Sequence, residues 1–184
     1  PAGTGPNVLT HLLGEALVHH GYYVFYSRDY QSLIRGGHNF NVLTFSEQPV
    51  FSNDSEFDII VAIDENTKKI HKNNLKKEGT IIEGKFSNMH FAGILFKMLN
   101  LDFKVLEQEL KCLSRFEENI WEAKKGFAEA KIWKILKKQE NKNSCYSNGS
   151  EGIAQGAIDS GLDLYYSYPM TPATPVLAEL AQRQ

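Results

Sequence analysis

The sequence has little cysteine, and this scarcity limits the cofactors that the chain could hold by itself. Its two cysteines, Cys112 and Cys145, are too few and too far apart for an iron–sulfur cluster or a zinc ion within this chain. We therefore expect two reduced thiols in a cytoplasmic protein. Any metal cluster in the working assembly would have to come from another subunit.

The sequence also lacks a charge excess and a long apolar run. Its 20 basic and 22 acidic residues give a net charge of -2, which provides no reason to expect nucleic acid or an anionic membrane as a partner. No apolar run approaches the roughly 20 residues that span a bilayer, and no signal peptide is recognised. The chain begins at Pro1 without methionine and ends at Gln184 inside a predicted helix, so we expect a fragment.

The first half of the chain alternates predicted helices and strands, which indicates an α/β fold. A loop containing Gly3 and Gly5 precedes a predicted helix at 8–20 and a predicted strand at 22–26. The helical spacing predicts one apolar face, made of Leu9, Leu12, Leu13, Ala16 and Leu17. In doubly wound folds such a loop can hold a phosphate at the helix N-terminus. The dinucleotide fingerprint is incomplete, however, because Val8 stands where its third glycine belongs.

A second ligand position is predicted after the apolar run 57–64, which is typical of a buried parallel strand. The carboxyl end of this strand, at 64–67, lies where open α/β sheets bind ligands, although Asp64 could equally cap a helix. The lysine-rich stretch 68–77 predicts a short helix with a solvated face or, as an alternative, an anion-binding patch. A further short strand is predicted at 80–83.

Helices dominate the next part of the chain. One is predicted from Asn88, its expected N-cap, to about residue 100, and Asp102 is expected to cap the next. An amphipathic helix is predicted at 117–136, in which Gly126 either costs stability or marks a close contact. The polar stretch 137–148 has no periodicity and is interpreted as a linker.

The least ordinary stretch is SLIRGGHN, at residues 32–39, between the predicted strands 22–26 and 40–45. Two adjacent glycines permit backbone angles and close approaches that other residues cannot make. The run therefore fits a ligand-holding turn and, equally, a tight turn with solvated side chains.

The composition changes after the linker. Residues 149–157 predict a helix of small residues, and residues 162–168 predict a strand. YPMTPATP, at 168–175, follows and leads into a helix near Pro175. Three prolines fix this backbone, so the turn could orient a small polar or anionic ligand or serve as a structural loop.

These two stretches, in this order, resemble the 2-oxoacid:ferredoxin oxidoreductases. The γ component of that family carries a Ser-x-Ile-Arg-Gly-Gly-His-Asn run, like residues 32–39 here. Its α component begins with a Gly-Asn-Glu-Ala helix and a Tyr-Pro-Ile-Thr-Pro turn, which residues 149–152 and 168–172 resemble, with Met170 in place of isoleucine. Asn88-Met89 is similar to a third, weaker γ signature.

The resemblance implies an α/β fold in two parts. The first, at 1–136, would be a three-layer, doubly wound-like γ domain with a mostly parallel sheet. After the linker at 137–148, residues 149–184 would begin a thiamine-diphosphate-binding α/β domain, the α or pyrimidine-binding domain.

The implied reaction is the coenzyme A-dependent oxidative decarboxylation of a 2-oxoacid, such as 2-oxoglutarate, with electrons passing to ferredoxin. Thiamine diphosphate, Mg and a 4Fe-4S cluster would be held mainly by a partner β subunit, and no metal ligand is expected in this chain. Two alternatives remain open, namely a stand-alone dinucleotide-binding oxidoreductase and a non-catalytic assembly or coenzyme A-binding module.

The resemblance also implies site residues. Thr171 is expected to contact the 2-oxoacid as the catalytic residue, with Tyr168, Pro169 and Thr174 as further substrate-binding residues. The residues expected to bind coenzyme A are Gly3, Gly5, Arg35, Gly36, Gly37, His38 and Asn39.

Overall fold

The computed structural model describes residues 5–29, 37–141, 144–171 and 173–183, and the chain divides into two compact units, Pro1–Ser144 and Cys145–Gln184. The predicted α/β class is confirmed. The predicted domain bounds, 1–136 and 149–184 with a linker between them, stay a prediction.

The elements follow one another in the order that the sequence suggested for most of the chain. The helices of the first unit are α1 (Gly5–His19), α2 (Glu65–His71), α3 (Asn88–Met98), α4 (Phe103–Leu110) and α5 (Phe116–Glu129). Its strands are β1 (Tyr23–Asp29), β2 (Phe40–Ser46), β3 (Phe57–Ala62) and β4 (Leu75–Glu83), with a 3₁₀ turn at Lys72–Asn74. The second unit contains α6 (Gly149–Asp159) and α7 (Ala173–Gln182).

The strands pair in two different ways. Strands β3 and β4 are parallel, as predicted, with Ile60 opposite Ile81 and α2 forming the crossover between them. Strands β1 and β2 are antiparallel, with Tyr23 opposite Ser46. Only the short connection at 30–39 separates β1 from β2, and a parallel pair needs a crossover of about a dozen residues or more. The antiparallel pair therefore follows from chain length.

Helix α3 is the centre of the core of the first unit. Most of its residues are buried, and Phe91 and Phe96 are completely inaccessible to solvent. The predicted apolar face of α1 packs into the same core, with Leu12 and Leu17 buried. Helix α3 is therefore covered by other elements on nearly all sides, which is why its sequence shows little amphipathic alternation.

Helices α3 and α5 approach each other through two glycines. A Cβ atom on Gly93 would collide with the carbonyl oxygen of Ala123, and one on Gly126 would collide with the carbonyl oxygen of His90. A glycine in a helix interior costs about 1 kcal/mol relative to alanine. Here the close contact that Gly126 was expected to mark is the reason for that cost.

The predicted helix at 117–136 is too long, since α5 ends at Glu129. The chain beyond it is extended, and the backbone N–H groups of Trp133 and Lys134 donate to the Met98 carbonyl oxygen at 2.8 and 2.9 Å. The last carbonyls of a helix lack partners within it, so this segment satisfies the end of α3 instead of continuing α5.

Side-chain caps begin several of the helices. Asp64 caps α2 and Asp102 caps α4, as the sequence allowed. The expected cap of α3, Asn88, is wrong by one residue, because the Ser87 hydroxyl accepts the hydrogen bond from the His90 backbone N–H at 3.2 Å. Asn88 is instead the first helical residue.

The strand predicted at 162–168 does not form within the described part of the second unit. Those residues are mostly exposed and belong to no helix or strand. A strand requires a neighbour that accepts and donates its backbone hydrogen bonds. The apolar pattern of these residues therefore does not by itself produce a strand.

Candidate functional site

The end of the SLIRGGHN run leads directly into β2, and its side chains alternate between two neighbours. His38 and Phe40 contact His71 of α2, whereas Asn41 contacts the first turns of α1. This follows from the period of two in extended chain, which directs successive side chains to opposite faces. The GHN end of the run and the start of β2 thus lie between the helix that follows the glycine loop and the helix that follows β3.

On the α1 side, three polar residues form an amide cluster, defined as Asn7, Thr10 and Asn41. The Asn41 side-chain amide donates to Asn7 Oδ1 at 3.1 Å and to Thr10 Oγ1 at 3.0 Å. The Tyr26 hydroxyl lies 3.5 Å from the same Asn7 oxygen. The cluster ties the beginning of β2 to the N-terminal turns of α1.

On the α2 side, two imidazoles form a histidine pair, His38 and His71. Their Nε2 atoms are 2.9 Å apart, which is a hydrogen-bond distance. The ring of Phe40 packs edge-on against His71 at 4.5 Å between centroids, and that of Phe57 does so at 5.8 Å. Both imidazoles are half-buried. The pair therefore joins β2 to α2 through a polar contact among aromatic rings.

Asp64 stands beside this pair at the carboxyl end of β3. Its carboxylate accepts from the backbone N–H and from the hydroxyl of Thr67, both at 2.8 Å. Partial desolvation disfavours the charged form, but these two hydrogen bonds and the nearby His38 outweigh it, so the pKa of Asp64 is lowered. Asp64 is thus a helix cap whose charge also acts on His38.

The environment of His71 favours the neutral form of its side chain, whereas that of Asp64 favours the charged form. Burial, followed by the proximity of His38, lowers the pKa of His71 below its usual value. His71 is therefore held in its neutral form near pH 7.

A groove with a volume of about 450 Å³ opens beside the amide cluster. Its lining includes Asn7 and Leu12 of α1 and Tyr26 and Arg28 of β1. Burial raises the pKa of the Tyr26 phenol, and the nearby Arg28 charge offsets only part of that effect. Apolar walls with a few polar groups are typical of ligand sites.

The structure brings together stretches that the sequence singled out separately. Gly5 is the first residue of α1, Gly37 is exposed with a φ of 149°, and His38 and Asn39 are half-buried. Gly3, Arg35 and Gly36 lie outside the described residues. The chain at the GHN end of the run contacts the glycine-loop helix α1 on one side and α2, which follows the end of β3, on the other. The assignment of these stretches as ligand residues stays a prediction.

Sequence reasoning missed His71. It lies in a lysine-rich stretch, 68–77, whose composition indicated only a solvated helix face. Its position on the helix that follows β3 was a usable signal, because that connection leaves the sheet edge where α/β proteins bind ligands.

The predicted substrate residues belong to the second unit and are exposed. Tyr168, Pro169, Thr171 and Thr174 all lie on or next to the turn that leads into α7. The Met170 carbonyl oxygen accepts from the backbone N–H groups of Ala173 and Thr174 at 2.7 and 3.0 Å. Pro172 lies outside the described residues. The turn thus presents the Thr171 side chain to solvent.

The described residues contain neither a cluster of metal ligands nor a membrane-spanning helix. Within 5–29, 37–141, 144–171 and 173–183, no three His, Cys, Asp or Glu side chains are grouped so as to hold a metal ion. Over the same described residues, no helix is both long and apolar enough to cross a membrane.

The first part of the chain matches a protein-family model. Residues 1–83 match the model described as pyruvate ferredoxin/flavodoxin oxidoreductase. These residues contain the SLIRGGHN run, and the match confirms the resemblance seen in the sequence.

Relatives with similar sequences carry consistent names. A 2-oxoacid:ferredoxin oxidoreductase subunit alpha from Sulfolobus sp is 38% identical over 74 residues, which are 40% of this chain and 12% of that protein. Another subunit alpha, from Saccharolobus solfataricus, is 32% identical over 74 residues, with the same two coverages. The match thus spans about an eighth of the length of the curated relatives.

A solved structure has the same fold. It is a 2-oxoglutarate:ferredoxin oxidoreductase from Magnetococcus marinus, with 2-oxoglutarate, coenzyme A and succinyl-CoA bound. The TM-score is 0.78 at 20% sequence identity, and the likeness covers 96% of this chain and 38% of that one.

Proposed function

We propose that this chain is part of a 2-oxoacid:ferredoxin oxidoreductase. It comprises a γ domain at 1–136, a linker at 137–148 and the start of the α domain at 149–184. The assembled cytoplasmic enzyme carries out coenzyme A-dependent oxidative decarboxylation of a 2-oxoacid, such as 2-oxoglutarate, and passes the electrons to ferredoxin.

The observation that carries this proposal is that the chain at the GHN end of the SLIRGGHN run forms polar contacts with two helices. The run resembles the family by its sequence, and the structure fixes its end between α1 and α2 through Asn41 and His38. A stretch serving only as a solvated turn has no need of polar contacts to two separate helices.

The residues of this place suit coenzyme A. Its phosphates require donors, which the N-terminal turns of α1, the amide of Asn39 and the imidazole of His38 can supply. Arg35, Gly36, Gly37, Gly3 and Gly5 complete the proposed set. The groove beside Asn7 and Tyr26 offers apolar walls for the non-phosphate part of the molecule.

The second unit contributes the 2-oxoacid contact. The Thr171 hydroxyl donates a hydrogen bond to the carboxylate or carbonyl oxygen of the substrate, while Tyr168, Pro169 and Thr174 shape the site. The β subunit would hold Mg, a 4Fe-4S cluster and thiamine diphosphate, and these groups would supply the chemistry of decarboxylation and electron transfer. The part of this chain is to bind and orient the reactants.

Reconstitution with the β subunit tests the proposal. We expect reduction of an artificial electron acceptor that requires both a 2-oxoacid and coenzyme A. Thr171→Val should lower kcat/KM about 10- to 100-fold, as expected for the loss of one hydrogen bond to a charged group. Thr80→Val, on β4, is the matched control and should keep wild-type activity.

Two results would count against the proposal. Wild-type turnover by the Thr171→Val enzyme would remove the assigned role of Thr171. Binding of NAD(P) by the chain, without any requirement for coenzyme A, would favour a dinucleotide-dependent oxidoreductase instead.

A further inference from the structure

His71 is the one member of the histidine pair that lies outside the SLIRGGHN run. It belongs to α2, 33 residues after His38, and the two Nε2 atoms are 2.9 Å apart. The contact is held from the sides by aromatic rings, because His38 stacks on Phe40 at 5.6 Å and Phe40 packs against His71 at 4.5 Å. The pair is therefore a built feature of the fold.

A hydrogen bond between two Nε2 atoms needs one proton between them. In the neutral pair, one ring donates from Nε2 and has an acceptor at Nδ1, while the other ring accepts at Nε2 and carries a proton on Nδ1. One further proton leaves the shared bond intact and gives both rings a donor at Nδ1, with a total charge of +1. A second further proton would place two Nε2–H groups against each other and break the contact.

The singly protonated pair has the properties of an anion anchor, namely a positive charge and two N–H donors on neighbouring rings. In the ligand-free chain His71 is held in its neutral form near pH 7, since burial and the neighbouring imidazole lower its pKa. An anion bound beside the pair would favour the charged form. Ligand binding and proton uptake would then be linked.

The charged groups around the pair do not prevent ligand binding from being linked to proton uptake. Asp64, at the start of α2, lies near His38, whose proximity contributes to the lowered pKa of Asp64. Among the nearby lysines, Lys68 is paired with Glu83 at 2.8 Å. Lys69 and Lys72 flank His71 in the sequence and add positive potential for an anion.

On the neighbouring strands, one lysine near Phe57 faces several carboxylates. Lys76 of β4 contacts Asp58 of β3 at 2.8 Å, and Asp54 and Glu56 also act electrostatically on Lys76. Proton uptake by the pair on ligand binding is therefore measured against this fixed set of charges.

We infer that His38 and His71 together anchor a phosphate of coenzyme A, and that the pair takes up a proton when this ligand binds. His71 is thus a ligand-binding residue of the site. The inference rests on the proposed function. It adds His71 as a second phosphate-binding residue and the uptake of a proton on ligand binding.

Calorimetric titration of the chain, assembled with its β subunit, tests the inference with coenzyme A as the probe. Measurements at pH 7 in buffers of different ionisation enthalpy report the number of protons taken up. We expect an uptake of up to one proton and a Kd that rises with pH by at most about tenfold per unit, the limit for one linked proton.

Variants separate the pair from other titrating groups. His71→Phe keeps a ring between Phe40 and Phe57 but cannot titrate, so it should take up fewer protons and bind about tenfold more weakly at pH 6.5. The comparison with wild type removes the contribution of the coenzyme A monoester phosphate, which itself titrates near pH 6. His71→Gln tests the same loss without an added ring, and His19→Phe, at an exposed position on α1, should behave as wild type.

The possible results are distinguishable. Failure of the wild-type assembly to bind coenzyme A at any pH between 6 and 8 would overturn the proposed function and this inference together. Binding of coenzyme A with the same proton uptake in wild type, His71→Phe and His71→Gln would overturn the inference alone. Reduced uptake in both His71 variants, with His19→Phe unchanged, would support it.

Discussion

The two compact units of this chain differ in how much of their apolar surface they bury. The first unit has a continuous core around α3, in which Phe91, Phe96 and Leu106 are inaccessible to solvent. In the second unit, within 145–171 and 173–183, only Ala154 and Val176 are buried. Tyr166 and Tyr168 are 87% and 78% exposed there.

This difference shows which predicted site is organised by the chain itself. In the first unit, residues at and just after the GHN end of the run form hydrogen bonds to α1, which packs into the core, and to α2. In the second unit, the turn that carries Thr171 is exposed, and large apolar side chains beside it remain accessible. Exposed apolar patches of this kind are typical of interaction surfaces. We therefore expect the second site to depend on the β subunit more than the first.

Truncating one aromatic ring in each unit should give the largest contrast. Phe91→Ala should lower the free energy of unfolding of the first unit by about 3–5 kcal/mol, because it opens a cavity in the core. Tyr166→Ala should change the free energy of unfolding of the second unit by less than about 0.5 kcal/mol, since that ring is 87% exposed. Both tryptophans, Trp121 and Trp133, lie in the first unit, so their fluorescence during urea unfolding reports on that unit, and amide hydrogen exchange measures the second unit. A small effect of Phe91→Ala would contradict the described core.

Much of this core could be predicted from the sequence because its signals are local. The spacing of Leu9, Leu12, Leu13, Ala16 and Leu17 predicted the apolar face of α1, and all of these except the half-buried Leu13 are buried. The continuous apolar run before Asp64 predicted a buried parallel strand. Such patterns depend only on the period of a helix or on burial on both faces of a strand.

What could not be predicted depends on contacts between distant parts of the chain. Helix α5 ends at Glu129 because the following N–H groups bind the Met98 carbonyl at the end of α3. His71 looked like part of a solvated helix because its partner, His38, is 33 residues away. For the second site, Thr171 was chosen from a resemblance, and its role stays a prediction.

Adding a methyl group to one helical glycine in each unit should sharpen the comparison. Gly126→Ala places a Cβ against the His90 backbone and should destabilise the first unit by about 3 kcal/mol, since backbone atoms cannot move aside cheaply. Gly152→Ala meets nothing within 4 Å and should stabilise α6 by about 0.5–1 kcal/mol. Tryptophan fluorescence measures the first effect, and amide hydrogen exchange of α6 measures the second. Equal effects of the two substitutions would contradict the close α3–α5 crossing.

Breaking the amide cluster should have a moderate effect. Asn41→Leu leaves Asn7 and Thr10 without the donor that joins them, which should cost about 1–2 kcal/mol of stability. It should also weaken coenzyme A binding, because the GHN end of the run is no longer fixed to α1. Asn53→Leu, which removes polar contacts to Thr44 and Ser27 elsewhere on the same strand pair, is the control and should leave coenzyme A binding unchanged. Equal losses of coenzyme A affinity in both variants would show that the cluster has no special part in the site.

The smallest expected effect is a pH dependence of the stability of the first unit. The pKa of His71 is lowered in the folded chain, so the unfolded chain binds more protons, and stability should fall as the pH drops below about 6.5, the ordinary histidine value. Urea midpoints at pH 7.5 and 5.5, followed by tryptophan fluorescence, measure this loss. The loss should be smaller in His71→Phe than in wild type and unchanged in His19→Phe. An identical pH dependence in all three proteins would mean that His71 does not contribute.

Amide hydrogen exchange of the chain assembled with its β subunit tests the central claim most directly, because one experiment follows both sites. We predict that coenzyme A slows exchange in residues 5–10, 37–41 and 64–71 and leaves residues 165–171 unchanged. The 2-oxoacid should do the reverse. Protection of residues 165–171 by coenzyme A, with none at 37–41, would contradict the account.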